Sequence, residues 1–513
     1  MRFIYNNLSV IYVALVTSLM AWLYGGIRSA LLVDTVPWLM LFMVEIMFCF
    51  PQRRDGETTG DARERVWRSM RKDALVWVSV ALLAVLAIPF VNTGLCTTCD
   101  YLKIMNEGVS PEPPVKFLPF CVNRMEHLNV YLWFVTALSC LVATKHCLRR
   151  RGRRLLLELI VWNGFGLAVL GFVQVVTMAP GPLWDALPDA VGRAPQFFST
   201  WGYPNMAGDY FVTLFGLSVG LWRHHYDRIR TEIETAQSGQ IKKPRTLFWR
   251  QNVYLVPATL FFFAAQNTLC RAAIVEVTVL SLVFFAHTFL SFAARMHRVK
   301  RVKATAISVL VFGIVAFCGL TFMPDEIRRE VNTIGTTETL DRVTGKGQYH
   351  VRVATQIFRQ NLLFGCGGWG YKHFCLANME PEERRSLQRL GGVNVHNDYM
   401  QFLAEHGLVG FGLMLTVFLL AVGPFVSAWQ RLVKAAAFDK QTKLAKPMQV
   451  FVIPAPVFCI LSTVIATLVH AFGDCPLRSP AILTLLFVSL AALYGFMPKE
   501  AVEETRHHNH PRH

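Results

Sequence analysis

Apolar segments of about twenty residues, the length that crosses a bilayer as an α-helix, alternate with polar segments along most of the chain. They lie at 8–26, 29–49, 73–92, 128–147, 155–178, 206–222, 251–268, 272–292, 304–322, 407–428, 450–469 and 480–497. The pattern predicts an all-α, polytopic integral membrane protein with about twelve transmembrane helices. Because Arg271 interrupts the run 251–292, the two helices predicted there require a very tight turn. No small-residue cleavage site follows the first segment, so we expect it to remain as a helix.

The longest polar interruption, residues 323–406, divides the predicted transmembrane helices into two groups. We expect helices one to nine with short loops over 1–322, and the last three helices with a tail over 407–513. Between them, 323–406 forms one large helical loop region. Within it, residues 348–363 have the apolar spacing of a helix, which ends at the glycine-rich segment 365–370.

A second amphipathic helix is predicted where the loop region meets the next apolar segment, at residues 394–407. Asn394 or Asn397 can cap this helix, and Gly407 can end it before the transmembrane helix begins. His396 then stands in the first turn, at the water edge of the membrane. With no further information, it could be only a hydrogen-bonding group of a capped interfacial helix.

The composition agrees with a membrane protein, since 53% of the residues are hydrophobic, 17% are charged and the mean hydropathy is +0.37. The net charge of +17 does not indicate a nucleic-acid partner, because the lysines and arginines are divided among alternate loops. These basic loops lie at 53–72, 145–154, 223–250, 295–303 and 431–446. By the positive-inside rule, they and both chain ends are cytoplasmic, which places 323–406 on the periplasmic side.

Six of the twelve cysteines fall in segments predicted to face outward, where an oxidising compartment permits disulfides. They are Cys96, Cys99, Cys121, Cys366, Cys375 and Cys475. A structural disulfide and plain buried thiols are both compatible with these positions. Cys96 and Cys99 also have the spacing of a zinc or redox pair, but no second Cys or His pair completes a metal site. The His-rich tail, 507–513, is predicted to be disordered, with at most weak adventitious metal binding.

Two arginines also stand out, each with an ordinary alternative. Arg271 lies between two apolar runs, where an arginine must be paired, hydrated or extended to the interface. Arg352 lies on the predicted helix 348–363 and could be a solvated arginine like Arg359 on the same helix.

Residues 396–410, His-Asn-Asp-Tyr-Met-Gln-Phe-Leu-Ala-Glu-His-Gly-Leu-Val-Gly, resemble the signature of the O-antigen ligase and polymerase superfamily. That signature is roughly His-Asn-x-x-Leu-x-x-x-x-Glu-x-Gly-x-x-Gly, and Met400 stands where leucine is usual. Residues 470–480 are similar to the His-x-x-x-Asp-x-x-x-x-x-Pro ending of the same superfamily.

Three further landmarks carry the resemblance over most of the chain. The turn 201–205 is similar to a Gly-x-x-Asn-Pro-Asn-type turn, with Tyr203 where Asn is common. Arg271 matches the arginine of a Ser-Arg-Gly pattern, although its neighbours here are Cys and Ala. Arg352 matches an arginine-bearing helix that precedes a Gly-x-Gly-x-Gly turn.

The resemblance implies glycosyl transfer from a polyprenyl-diphosphate-linked glycan to an acceptor hydroxyl. Such an enzyme must hold two phosphates, stabilise the charge on the leaving group and remove one proton from the acceptor. Arg271 and Arg352 suit phosphate, because guanidinium is always charged and binds through a bidentate fork. His396 suits the general base, because a histidine pKa of about 6.5 permits proton uptake at neutral pH. The catalytic residues implied are therefore His396, Arg271 and Arg352.

Five further residues are expected to contact substrate: Arg193, Asn205, Asn397, Glu405 and Arg478. Arg193 and the helix N-terminus at Asn205 could meet an anionic lipid head group, or the segment could be a plain turn. Glu405 could orient the base or an arginine, or simply pair at the helix end. Arg478 could instead pair with Asp474 at the surface.

We expect no cofactor and no metal in the reaction. The outer loops contain no Asp-x-Asp motif, and two arginines would replace the divalent ion that many sugar transferases use. A metal-free site with one general base fits direct inverting displacement. The partners implied are the lipid-linked glycan donor, lipid A-core or another glycan acceptor, and membrane lipids of the bacterial inner membrane.

The resemblance leaves three activities open. The first is an O-antigen ligase, which one large outer loop late in the chain slightly favours. The second is a polymerase of O-antigen or exopolysaccharide, and the third is a protein O-oligosaccharyltransferase. A secondary transporter or lipid flippase is a lower alternative, because the two halves of the sequence do not repeat.

Overall fold

A computed structural model describes residues 7–23, 25, 45, 47–93, 113–185, 197–236, 250–293, 325–333, 347–380, 383, 394–438 and 453–497. Throughout these residues the secondary structure is helical, apart from turns and two isolated β-bridges. The predicted all-α class is therefore confirmed.

The first half of the chain contains the helices α1 (Leu8–Trp22), α2 (Thr59–Arg71), α3 (Ala74–Ala87), α4 (Arg124–His146), α5 (Arg150–Val176), α6 (Pro204–Ala236) and α7 (Leu255–Asn267). Side-chain caps explain several of the starts. Thr58 and Asp61 form a reciprocal capping box before α2, and Asn123 accepts the first free N–H groups of α4. The predicted helix start at Pro204 is confirmed.

The second half contains α8 (Arg271–Ala293), α9 (Asp325–Thr333), α10 (Gly347–Gln360), α11 (Gly370–Phe374), α12 (Asp398–Phe438), α13 (Ala455–His470) and α14 (Pro480–Ala492). The very tight turn predicted between α7 and α8 is confirmed. Leu269 completes it in the left-handed conformation, with φ of 58°. The predicted helix 348–363 is also confirmed, as α10.

Four of these helices, α4, α5, α8 and α12, are long and apolar enough to cross a membrane. The pair α2 and α3 passes the same test together but bends by 76°, and α1, α13 and α14 are shorter apolar helices. These features support a membrane protein, whereas the count of about twelve spans stays a prediction. The predicted span 304–322 lies wholly outside the described residues, and 29–49 lies mostly outside them.

The helices pack around a large apolar core, in which α6 contacts α7 and α13, and α4 contacts α14. A second, smaller core lies between α10, α11 and the first part of α12. Its buried members include Val353, Ile357, Tyr371, Val395 and Ala404. Burying an aliphatic side chain of this size contributes roughly 1.5–3 kcal/mol, so the small core holds the segment before α12 against α10.

Gly407 divides α12 into a short amphipathic part and a long apolar part, as predicted. Its backbone has φ 61° and ψ −168°, a conformation that favours glycine. A side chain there would also collide with the chain after α10, because a Cβ would lie 2.4 Å from the carbonyl carbon of Leu363. The chain on both sides of the bend is therefore fixed against the end of α10.

The glycine-rich segment 365–370 packs against the short part of α12. The N–H of Cys366 donates to the Ala404 carbonyl at 3.0 Å, and the N–H of Gly367 donates to the Glu405 carbonyl at 2.8 Å. A Cβ on Gly365 would lie 2.3 Å from the carbonyl carbon of Glu405. The glycines at 365 and 367 thus permit a close approach between two backbones.

Candidate functional site

The turn that carries His396 is tied to the chain that follows α13. The N–H of Asp398 donates to the Ala471 carbonyl at 2.9 Å, and Asn397 Nδ2 donates to the Phe472 carbonyl at 3.1 Å. The Asn397 side chain also accepts an N–H from the first turn of α12, so it is one of the two predicted caps. These bonds join the signature at 396–410 to the loop 471–479.

His396 itself has a left-handed backbone, with φ of 53°. For a residue other than glycine, this conformation costs on the order of 1–3 kcal/mol and persists only where the surroundings enforce it. The hydrogen bonds of Asn397 and Asp398 supply that enforcement. Strained residues of this kind cluster at active sites, which makes His396 a candidate site residue.

Nδ1 of His396 lies 3.1 Å from Oδ1 of Asp474. The side chain of Asp474 is 6% exposed, whereas that of His396 is 46% exposed. The hydrogen bond to Asp474 raises the pKa of His396, against the opposing effect of burial. Burial alone would raise the pKa of Asp474, but the hydrogen bond and charge of His396 hold it at about 2. The pair is therefore a half-exposed histidine oriented by a buried, ionised carboxylate.

Three other donors hold the Asp474 carboxylate. The Tyr203 hydroxyl lies 3.0 Å from Oδ1, the Asn205 amide donates to Oδ2, and the N–H of Cys475 donates to Oδ1 at 2.8 Å. Burial and the Asp474 charge raise the pKa of Tyr203 far above its ordinary value, so its hydroxyl remains a donor. The turn 201–205 thus positions the carboxylate that contacts His396.

A second histidine lies beside the first. The ring centre of His350, on α10, is 6.4 Å from that of His396, and its Nδ1 lies 2.9 Å from the Tyr371 hydroxyl. Burial, with the charge of His396, lowers the pKa of His350 to about 4, so this ring is neutral at pH 7. Sequence reasoning did not single out His350. Only its place on the apolar face of α10 could have indicated it.

Arg271 and Arg352 are each engaged by a carboxylate. Nε of Arg271, at the start of α8, lies 2.7 Å from Oε2 of Glu330 on α9. Nη2 of Arg352, on α10, lies 2.6 Å from Oε2 of Glu383. Their side chains are 27% and 46% exposed, so both are partly accessible to solvent. Their convergence on His396 remains a prediction.

Arg478 and Glu405 form a buried ion pair. Nη2 of Arg478 lies 2.5 Å from Oε2 of Glu405, and Nε lies 4.0 Å from Oδ1 of Asp398. The guanidinium also stacks over Trp369, 4.7 Å from the ring centre. The predicted surface pair of Arg478 with Asp474 is wrong, because the helical turn 476–478 directs Arg478 toward α12 while Asp474 is held by the imidazole. Of the roles predicted for Glu405, pairing with an arginine agrees with this geometry.

An apolar cavity of about 310 Å³ adjoins this ion pair. Trp133, Phe411 and Phe487 are among the many aromatic and aliphatic side chains of its wall. The charged side chains of its lining are Asp398, Glu405 and Arg478, with His406 beside them. A cavity with one charged group of residues and a long apolar wall can hold an amphiphilic molecule.

The outward cysteines that the structure describes are buried thiols. They are Cys121, Cys366, Cys375 and Cys475. Of the two predicted alternatives, plain buried thiols are therefore confirmed at these positions. Cys96, Cys99 and Arg193 lie outside the described residues, so the predictions about them are untested.

Among the residues that the structure describes, two groups of side chains combine residue types that can ligate a metal. In the first, the donor atoms of His396, Asp474 and Cys475 lie within 4.8 Å of one another. Hydrogen bonds already engage the Asp474 carboxylate, and burial raises the pKa of the Cys475 thiol, which makes it a poor ligand. The second group lies in the interior of the bundle and consists of Asp209, Glu276 and His470.

These features support a helical membrane protein with a His396–Asp474 pair beside a large apolar bundle. Residues 256–415 match the family model described as O-Antigen ligase. The match confirms the resemblance to the O-antigen ligase superfamily. It covers just under a third of the chain and contains Arg271, Arg352, His396 and Glu405. It supports a membrane glycosyltransferase of the O-antigen ligase or polymerase kind. A comparison with curated proteins found no match.

Proposed function

We propose that the protein transfers a glycan from undecaprenyl diphosphate to an acceptor hydroxyl at the periplasmic face of the bacterial inner membrane. The proposed activity is that of an O-antigen ligase, with lipid A-core as the acceptor. The observation that carries the proposal is the His396–Asp474 pair at the head of the family signature. A histidine held through Nδ1 by an ionised carboxylate keeps its Nε2 for a substrate proton.

In the proposed step, Nε2 of His396 takes the proton of the acceptor hydroxyl. At the same time, the oxygen of that hydroxyl attacks the anomeric carbon of the donor glycan. The bond from that carbon to the diphosphate oxygen breaks with inversion, and its electron pair leaves with undecaprenyl diphosphate. Asp474 stabilises the imidazolium that results. A positioned general base of this kind contributes about 10²–10⁴-fold to the rate.

Arg271 and Arg352 are assigned to the diphosphate. Each already holds a carboxylate, Glu330 or Glu383, which offers the charge and fork geometry that a phosphate also offers. The diphosphate would replace or join these carboxylates. Because two fixed cations neutralise the leaving group, we expect the transfer step to need no divalent metal.

The remaining substrate contacts are assigned to residues near the base. The cavity lined by Asp398, Glu405 and Arg478 supports a substrate with a lipid chain, because its apolar wall suits an isoprenoid or acyl chain. Asn397, in the turn that carries His396, is assigned to the sugar or acceptor. Asn205 acts on the substrate through Asp474.

The glycolipids of a deletion strain test the activity. Unligated polysaccharide on its lipid carrier is the result expected for a ligase. Single repeats on lipid A-core would show a polymerase instead, and loss of glycan from a protein would show an oligosaccharyltransferase. Plasmid-borne Arg359→Ala should restore the wild-type glycolipids, whereas His396→Ala should not. Full restoration by His396→Ala would overturn the assignment of the base.

A further inference from the structure

Asp209, Glu276 and His470 form a polar cluster inside the helical bundle, with one residue from each of α6, α8 and α13. The side chains of Asp209 and His470 are 0% and 2% exposed, and that of Glu276 is 12% exposed. We propose that this cluster binds a divalent transition-metal ion of the zinc class, as a structural site behind the His396–Asp474 pair.

The spacing of the donor atoms fits such an ion. Nδ1 of His470 lies 3.3 Å from Oε1 of Glu276 and 3.6 Å from Oδ1 of Asp209. Zinc binds nitrogen and oxygen ligands at about 2.0–2.2 Å in a tetrahedron, which places two ligands roughly 3.3–3.6 Å apart. All three donor atoms lie within 4.8 Å of one another. One imidazole and two carboxylates would leave a fourth position for water.

Two of the donor atoms, Nδ1 of His470 and Oδ1 of Asp209, are buried and have no hydrogen-bond partner. The other carboxylate oxygen of Glu276, Oε2, is buried without a partner as well. Nδ1 of His470 lies within ion-pair distance of the Asp209 and Glu276 carboxylates, but it forms a hydrogen bond with neither. A buried polar atom without a partner costs about 1–3 kcal/mol. A ligand between Nδ1 of His470 and Oδ1 of Asp209, with Oε1 of Glu276 beside them, accounts for the two unpartnered donor atoms.

The hydrogen bonds around the cluster leave these atoms available. Thr467 Oγ1 lies 3.2 Å from Oδ2 of Asp209, so it engages the other oxygen of that carboxylate. This contact orients Asp209 and leaves Oδ1 directed at His470, as expected for a ligand fixed by a neighbouring group. The His396–Asp474–Cys475 group differs, because there the carboxylate is fully engaged by protein donors.

A divalent cation would also balance the charges of the cluster. Two carboxylates and a protonated imidazole would leave one buried negative charge, and a neutral imidazole would leave two. A divalent ion with a neutral imidazole makes the cluster neutral. Since an uncompensated buried charge is strongly destabilising, the ion is the arrangement that balances Asp209, Glu276 and His470 without an added proton.

The ion would support the catalytic pair from behind. The His470 carbonyl ends α13 and accepts the N–H of Asp474 at 3.0 Å. Fixing His470 to α6 and α8 therefore fixes the start of the loop that carries Asp474. This site has no part in the chemistry proposed above, so either proposal can fail while the other stands.

The test uses the full-length protein in detergent, with His507, His508, His510 and His513 replaced by alanine to remove metal binding by the tail. Metal content is measured by mass spectrometry after dialysis, and thermal unfolding is followed with EDTA and with added zinc. We expect one ion per chain, a lower Tm in EDTA and recovery with zinc. Asp209→Asn and Glu276→Gln should lose the ion and the response to EDTA, whereas the control Glu126→Gln keeps both.

Two results would overturn the proposal. One is a protein without bound metal whose Tm responds to neither EDTA nor zinc, which would make the cluster a His–carboxylate ion pair only. The other is retention of the ion in both variants. The EDTA and zinc measurements need no substitution in the cluster, so a variant that fails to fold does not prevent the test. Magnesium-dependent transfer without a change in Tm would instead contradict the metal-free chemistry.

Discussion

His396 and Asp474 are 78 residues apart in the sequence, yet Nδ1 of the imidazole lies 3.1 Å from Oδ1 of the carboxylate. The carboxylate is buried and the imidazole is half exposed. This arrangement gives the two residues different roles in the proposed reaction. The histidine contacts the acceptor, and the aspartate determines its tautomer, orientation and pKa.

We expect His396→Ala to remove turnover while leaving the donor lipid bound. The proton transfer matters mainly in the transition state, so the loss should appear in kcat, at about 10²–10⁴-fold. The measurement is donor binding and transfer rate for purified wild type and variant, with His373→Ala as a control histidine at another site. Loss of donor binding by His396→Ala would assign it to the phosphates instead.

We expect Asp474→Asn to lower the rate and to move the acidic limb of the pH–rate profile to lower pH. The base must be deprotonated, so activity falls as the pH falls through the pKa of His396. Asp474 raises that pKa, with a smaller contribution from Asp398, and the neutral His350 ring adds no charge. Removing the Asp474 charge therefore lowers the pKa of His396. An unchanged acidic limb would show that another group titrates, and Asp227→Asn serves as the control.

We expect Arg271→Ala and Arg352→Ala to weaken donor binding as well as turnover. Each substitution leaves a phosphate without its fork, and lysine at either site should restore little, because a point charge lacks that geometry. The matched control is Arg359→Ala, an exposed arginine on the same helix as Arg352. Near-normal transfer by both alanine variants, with normal expression, would place the phosphate site elsewhere.

We expect Arg478→Met to destabilise the protein by about 3–5 kcal/mol, since it leaves Glu405 charged, buried and unpaired. The double variant with Glu405→Gln should recover much of that loss, because residue 405 is then no longer a buried, unpaired charge. Thermal unfolding of the two single variants and the double variant measures the coupling. Additive effects would show that the pair contributes nothing as a pair.

We expect residues 323–406 to be periplasmic, as the lysine and arginine bias of alternate loops predicts. A cysteine introduced by Glu338→Cys should react with an impermeant thiol reagent in intact cells. Glu64→Cys, in a loop predicted to be cytoplasmic, should react only after permeabilisation. Each is compared with its parent, which carries the native cysteines. Labelling of Glu338→Cys only after permeabilisation would reverse the topology and the location of the site.

Much of the local structure could be predicted from the sequence, because helix formation depends on nearby residues. The apolar spacing of 348–363 and the break at Gly407 correspond to α10 and to the bend in α12. The alternation of long apolar and polar segments predicts an all-helical membrane protein for the same reason. His396 could be singled out because the signature around it is contiguous in sequence.

The partners of these residues were decided by the tertiary structure. Asp474 could be seen in the sequence, but its pairing with His396, Tyr203 and Asn205 depends on three separate helix ends that meet in space. The expected pair of Asp474 with Arg478 relied on their closeness in sequence, and the turn between them separates the two side chains. Long-range contacts of this kind have no local signal, because they arise from the packing of whole helices.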